Sequence, residues 1–187
     1  CRFSRGTGRS RRARCEGGVN VGDTSNIFAI DPGPKQSAWI LYDGNSVRDC
    51  DIEPNDSLLA RITTASADAF AIEWIESFGM AVGKDVFETV YWIGRFDEVV
   101  RPHKAMARVP RREVKLSLCN SVRAKDTNIR QAMIDIFPAT GGGKTPQVGT
   151  KSQPGPLYGV KSHIWSALAV AVTYQRRLIH EGLTTQG

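Results

Sequence analysis

Two short apolar runs, each stopped by a single carboxylate, constrain this chain more than any other feature. In "NIFAIDPGPKQSAWILYD", residues 26–43, Ile27, Phe28, Ala29 and Ile30 show no helical spacing and end at Asp31. In "DAFAIEWIESFG" the run Ala69 to Ile72 ends in the same way at Glu73. Apolar runs of this length bounded by turn formers read as buried strands, each delivering a carboxylate at its C-terminal end. Pro32 cannot extend a central ladder and Gly33 permits a sharp reversal, so the chain is expected to return as a second strand over about Ser37–Tyr42. Taken alone, Asp31 reads more plainly as a turn cap satisfying backbone N–H groups. A chemical role requires other acidic or imidazole groups to converge on it.

Further elements follow in the same chain. "SVRDCDIEP" supplies a third strand before Pro54, and "DSLLARITTA" carries Leu58, Leu59 and Ile62 at helical spacing. Residues 84–100 form a helix with Val86, Val90, Ile93 and the aromatic pair Phe87 and Tyr91 on one stripe. Met106 to Val109 is a fifth, short strand. "AKDTNIRQAMIDIF" is an amphipathic helix with Ile129, Met133, Ile136 and Phe137 inward, residues 140–156 form a loop, and "VKSHIWSALAVAVTYQRRLI" is a long helix with His163 in its first turn. Strands early and helices interspersed argue an α/β layer fold, with helices on both faces of a mixed sheet. In such sheets reactive groups gather at carboxyl strand ends.

The net charge of +6 is unevenly spread. Residues 43–98 hold twelve acidic against four basic side chains, whereas residues 101–130 hold nine Lys or Arg against Glu113 and Asp126. An acidic metal-holding region beside a surface for polyanions accounts for that reversal, as do solvated helix faces. The 187-residue length fits one domain, 26–182, behind a basic extension, 1–25, expected to be disordered. That extension reads as a truncated upstream segment or a phosphate-binding arm; an organellar targeting peptide shares its Arg-rich composition. No apolar stretch approaches the roughly 20 residues of a membrane span. Four cysteines without paired spacing suggest reduced thiols in a cytosolic setting.

Two hard oxygen ligands at adjacent strand ends suit Mg²⁺ or Mn²⁺. Close carboxylates without compensation would repel and one would protonate, so their joint presence implies a cation. His163 is the best third ligand, with Ser166 one turn on along the same face. A surface histidine without a role is the competing reading.

Four motifs together resemble the RuvC-type Holliday junction resolvases of the RNase H-like superfamily, some of them bacteriophage-encoded. "IFAIDPG" looks like their first active-site strand and "FAIEW" like their second acidic strand. "SHIWSALAVAVTY" is similar to their last helix, whose usual pattern is Asp-x-x-Asp-Ala-Leu-Ala. "REVKLSLCNSVRAKDTNIRQAM" resembles the segment that carries two lysines before a helix. The resemblance spans most of residues 27–180 and implies an RNase H-like, five-stranded mixed sheet flanked by helices on both faces.

The resemblance further implies two-metal hydrolysis of a DNA phosphodiester in branched DNA, in recombination and repair, with two Mg²⁺ or Mn²⁺ ions about 3.5–4 Å apart. Asp31 takes the place of the carboxylate shared between the ions, Glu73 that of a ligand to one, and His163 and Ser166 those of the two acidic positions in the last helix. Imidazole still binds these metals; serine at most holds a coordinated water, which implies a weak second metal site and activity favouring Mn²⁺. Lys115 and Lys125 match the basic residues at the scissile phosphates, Lys125 being the stronger candidate for transition-state charge. Arg111, Arg112, Arg123, Lys151 and Lys161 extend the basic side and make binding salt-sensitive. Phe78 stands near the place of an aromatic that stacks on an unpaired base, displaced by about two positions, and a core role competes. Symmetric nicking implies a homodimer, for which the helix at 84–98, with Phe87, Tyr91, Trp92 and Phe96, is the candidate interface.

"GGGKT", residues 141–145, is a decoy. The P-loop pattern would put its first glycine at Pro138, and no helix follows, so no nucleotide cofactor is expected and a flexible DNA-facing loop reads better. Two readings rival junction cleavage: a junction-binding protein that does not cut, motivated by Ser166 and His163, and an RNase H-like nuclease acting on flaps or forks.

Overall fold

A computed structural model describes residues 26–77, 79, 81–102 and 104–184; the Arg-rich segment 1–25 and Phe78 lie outside the described residues. Five strands form one mixed sheet: β1 (Ile27–Asp31), β2 (Gln36–Tyr42), β3 (Val47–Pro54), β4 (Ala69–Trp74) and β5 (Met106–Pro110). Their order is β3-β2-β1-β4-β5. β1 pairs antiparallel with β2, and β2 with β3, while β1, β4 and β5 run parallel. Parallel neighbours need crossovers, and the intervening helices provide them. These are α1 (Asn55–Thr64) and α2 (Lys84–Val100), followed by α3 (Arg111–Cys119), α4 (Asp126–Ile136) and α5 (Ile164–Thr184).

Alternation along the central strands splits the core in two. Ile27 and Ala29 face one side with Ala38, Ile40 and Ala71, where α5 brings Ile164, Ala167, Leu168 and Ala171 and α4 brings Ile129 and Met133. Phe28 and Ile30 face the other side with Trp39, Phe70 and Ile72, against Leu58 and Ile62 of α1 and Ile93 and Phe96 of α2. Helices therefore cover both faces, as the sequence suggests. Each large side chain so buried contributes about 1.5–3 kcal/mol. Among the described residues no helix is long and apolar enough to cross a membrane.

Three expectations are corrected. The buried stripe of α2 is Thr89, Ile93, Phe96 and Val100, so Phe87 (64% exposed), Val90 and Tyr91 (59% exposed) point outward. Ile136, expected inward, lies exposed at the end of α4, where Phe137 turns in instead. His163 precedes α5 and is not in its first turn; its carbonyl accepts the N–H groups of Ser166 (3.0 Å) and Ala167 (3.2 Å). Helix α3 was not expected. Its start after Pro110 and its end at Asn120, in the left-handed region at φ 52°, are ordinary boundary signals.

The glycine-rich loop at 140–156 is tied together internally. Gly141 N–H donates to the Pro146 carbonyl (2.8 Å), Gly142 N–H to Gln153 (2.9 Å) and Gly155 N–H to Val148 (3.1 Å). A Cβ on Gly149 would lie 2.2 Å from the Gly155 nitrogen, so glycine here permits close packing of backbone on backbone.

The turn after β1 is held by side chains other than Asp31. Gly33 N–H donates to Ser37 Oγ (3.1 Å), the Ser37 hydroxyl donates to Asn55 Oδ1 (2.7 Å), and the Asn55 amide donates to the Gly33 carbonyl (2.9 Å). Ser37 and Asn55 are both buried. Asn55→Ala strips a buried hydroxyl and a carbonyl of their partners and should cost about 1–3 kcal/mol in urea unfolding, whereas exposed Ser57→Ala should cost less than about 0.5 kcal/mol.

Candidate active site

The three parallel strands end side by side, with Asp31 last in β1, Glu73 next to last in β4 and Arg111 directly after β5. Ile30 of β1 is in register with Ile72 of β4, which places Asp31 and Glu73 together one residue beyond. Glu73 and Trp74 pair with Val109 and Pro110 of β5, so Arg111 emerges next to Glu73 as the first residue of α3. The Asp31 and Glu73 side chains are each 15% exposed. They line one cleft with Pro32, Trp74, Ile75 and Arg111.

Burial raises both carboxyls. Asp31 is pushed up to about 6, chiefly by desolvation, against the opposing pull of Arg111 and of hydrogen bonds from Glu73 and Ser166. Glu73 is pushed up to about 7 by desolvation and then by the charge of Asp31, again opposed by Arg111. Each carboxyl is thus held well above its ordinary value, first by burial and, for Glu73, next by the charge of Asp31.

Helix α5 closes the other side. Ser162 sits at φ 45°, a left-handed conformation that costs a non-glycine residue about 1–2 kcal/mol. This bend leads into α5, with His163 Nδ1 3.2 Å from Asp31 Oδ2. The imidazole is 71% exposed, open to anything approaching from solvent. His163 and Ser166 line a second cleft with Asp126, Ile129, Arg130 and Trp165, and Arg111 forms a wall of both clefts.

Arg111, expected on the basic surface, stands deeper. Its Nη2 pairs with Asp126, and its Nη1 lies 3.5 Å from Glu73 Oε2, buried and without a hydrogen-bond partner. Asp126 and Arg130 join the site without a sequence signal of their own, beyond Asp126 being one of two acids in the basic block. Arg130 lies over the Trp165 ring at 4.9 Å. The spacing of α3 from α5 is set by Glu113, which accepts from Arg177 Nη2 (2.6 Å) and Nε (3.0 Å).

The structure gathers Asp31, Glu73, His163 and Ser166 about one trough, although among the described residues no three His, Cys, Asp or Glu side chains form a closed metal cage. Lys115 on α3 is half-buried, and Lys125, before α4, is exposed with its N–H donating to Asn128 Oδ1 (2.9 Å). Neither lysine makes an ion pair among the described residues, nor do exposed Arg112, Arg123, Lys151 and Lys161.

No protein-family model matches the chain, and no curated protein matches it. Among solved structures it is similar to T. thermophilus RuvC in complex with a Holliday junction substrate, with a TM-score of 0.58 and 17% identity over 84% of this chain and 96% of that one. It is also similar to a second Thermus thermophilus RuvC structure, with a TM-score of 0.54 and 18% identity over 81% and 95%. The chain thus adopts the RuvC-type, RNase H-like fold that its sequence motifs resemble.

Proposed function

We propose that the protein is a metal-dependent endonuclease that nicks four-way or other branched DNA. The observation that carries this reading is the meeting of Asp31, Glu73, His163 and Ser166 in one trough, beside unpaired basic side chains. The donor set fits a hard divalent cation. Two mostly buried carboxyls titrate high because burial strips them of water and Arg111 only partly offsets it, and an open imidazole stands at their edge. Asp31, Glu73 and His163 would hold the ion. When bound, Mg²⁺ or Mn²⁺ supplies Lewis-acid stabilisation of the phosphate and a more acidic water.

In the hydrolysis, the oxygen of water bonds to phosphorus and the P–O3′ bond breaks. Its electron pair leaves with the 3′ oxygen, which takes up a proton, giving a 3′-hydroxyl and a 5′-phosphate. Lys115 and Lys125 hold the phosphates on either side, with Lys125 next in sequence to Asp126 at the trough. Arg112, Arg123, Lys151 and Lys161 extend the contact along the backbone. Support for branched DNA comes from the fold shared with a RuvC whose structure holds a Holliday junction.

Two symmetric nicks call for two sites, and the outward face of α2 offers the means. Phe87, Val90 and Tyr91 lie exposed on it, more apolar surface than one helix normally leaves to solvent. Tyr91→Glu combined with Phe87→Glu should convert a dimer to a monomer in sedimentation while leaving the melting temperature within about 2 °C, since both side chains are already outside the core.

Incubation with a labelled four-way junction, a Y-fork and linear duplex, in Mg²⁺, Mn²⁺ or chelator, tests the activity. Paired nicks in the junction that require metal are expected, with Asp31→Asn and Glu73→Gln each slowing them at least about 10²-fold. Cutting that survives both substitutions would refute the site. Binding of the junction in chelator as tightly as in Mn²⁺, without cutting under any condition, would favour the non-cleaving reading.

The raised carboxyls also set a pH dependence. In the folded state Asp31 and Glu73 keep protons that the unfolded chain has released, so the stability these two groups contribute is fully present below about pH 4 and is lost as pH rises through about 6 and 7. In chelator, the melting temperature of the wild type should fall relative to Asp31→Asn between pH 4 and 8, by roughly 5 °C, and Mn²⁺ should reverse most of that loss at pH 8.

A further inference from the structure

His163, just before α5, and Ser166, within it, stand where the usual pattern of the resembling family has two acids, and the serine in particular leaves the trough short of ligands for a second divalent ion. A hydroxyl adds no charge to balance another cation. Two further carboxylates line the trough: Glu76, which is exposed, and Asp126, which is already paired with Arg111, and Arg111 also faces Glu73. A second ion placed there would meet a fixed guanidinium at short range.

That guanidinium has the position and chemistry to do the missing ion's work. It borders both the cleft of Asp31 and Glu73 and the cleft of His163 and Ser166. One nitrogen is spent on Asp126, whereas Nη1 is buried, unbonded and 3.5 Å from Glu73. A buried donor without a partner is uncommon and points to an acceptor that arrives later. Phosphate oxygens are the acceptors a planar, permanently charged guanidinium matches best.

Resting on the nuclease reading, we propose that Arg111 takes the place of the second divalent ion. Its Nη1 donates to an oxygen of the scissile phosphate and offsets the charge that builds as the P–O3′ bond breaks. One ion, held by Asp31, Glu73 and His163, completes the site. Asp126 is a positioning residue that aims the guanidinium.

Calorimetric titration of the full chain with Mn²⁺ alone, at neutral pH and without DNA, reads the stoichiometry directly and needs no variant. One ion per chain is expected; two would overturn the proposal while leaving the nuclease reading intact. The junction-cutting rate should rise with Mn²⁺ at a Hill coefficient near one. Arg111→Ala should bind Mn²⁺ at least about threefold more tightly, because a competing charge has left, yet cut about 10²-fold more slowly at saturating metal. Arg111→Lys should recover part of the rate and keep the wild-type Mn²⁺ affinity, a pattern that a purely structural arginine would not produce. Should Arg111→Ala fail to fold, the wild-type stoichiometry, the Hill coefficient and the lysine variant still decide. Wild-type cutting by Arg111→Ala overturns the proposal alone, whereas a wild type that never cuts overturns the nuclease reading and this proposal with it.

Discussion

Two carboxyls, Asp31 and Glu73, are brought side by side near the ends of neighbouring parallel strands, and much of the surrounding structure follows from holding them there. Left in water they would separate and ionise. The register of β1 on β4 prevents separation, burial makes ionisation costly, and the third parallel strand answers with Arg111. One guanidinium beside two carboxyls does not neutralise them, since both still titrate well above their ordinary values. In the proposed reading, a divalent cation supplies the charge that the pair lacks.

Rigidity around the pair is supplied from outside it. The Ser37–Asn55–Gly33 network fixes the turn that follows Asp31, so the carboxylate has no capping duty to perform. The forked contact of Arg177 with Glu113 ties α5 to α3 and thereby sets the distance from His163 and Ser166 to Arg111. In the proposed reading such bracing matters, because a misplacement on the order of 1 Å in an active site can cost about 10²-fold in rate.

Much of this was legible in the sequence, and the gaps have physical causes. Unbroken apolar runs closed by carboxylates marked β1 and β4, because a central parallel strand admits little except apolar side chains. His163 was legible through the motif around it, although the sequence placed it in the first turn of α5, which it precedes. The stripe of α2 was misread because Val86, Val90 and Phe87 share a helical face almost as regular as Thr89, Ile93, Phe96 and Val100, and only packing against α1 decides between them. Helix α3 has one buried residue, Val114, so it lacks the apolar period that identifies a helix. The pairing of Arg111 with Asp126 joins two polar residues 15 positions apart, and no local rule relates them.

The two faces of the sheet divide the charge. Helices α3, α4 and α5 pack on one face, and the unpaired cations Arg112, Lys115, Arg123 and Lys125 lie on or beside them. Helices α1 and α2 pack on the other, within the acidic block from 43 to 98. A polyanion approaching the trough is therefore drawn over α3 and α4 and repelled from α2. In the proposed reading this leaves the exposed aromatic face of α2 free to meet a second copy while DNA occupies the opposite side. The same asymmetry explains why Arg111 can be held inward, since its partner Asp126 is one of only two acids in the basic block and the neighbouring cations leave that block ample charge for the substrate.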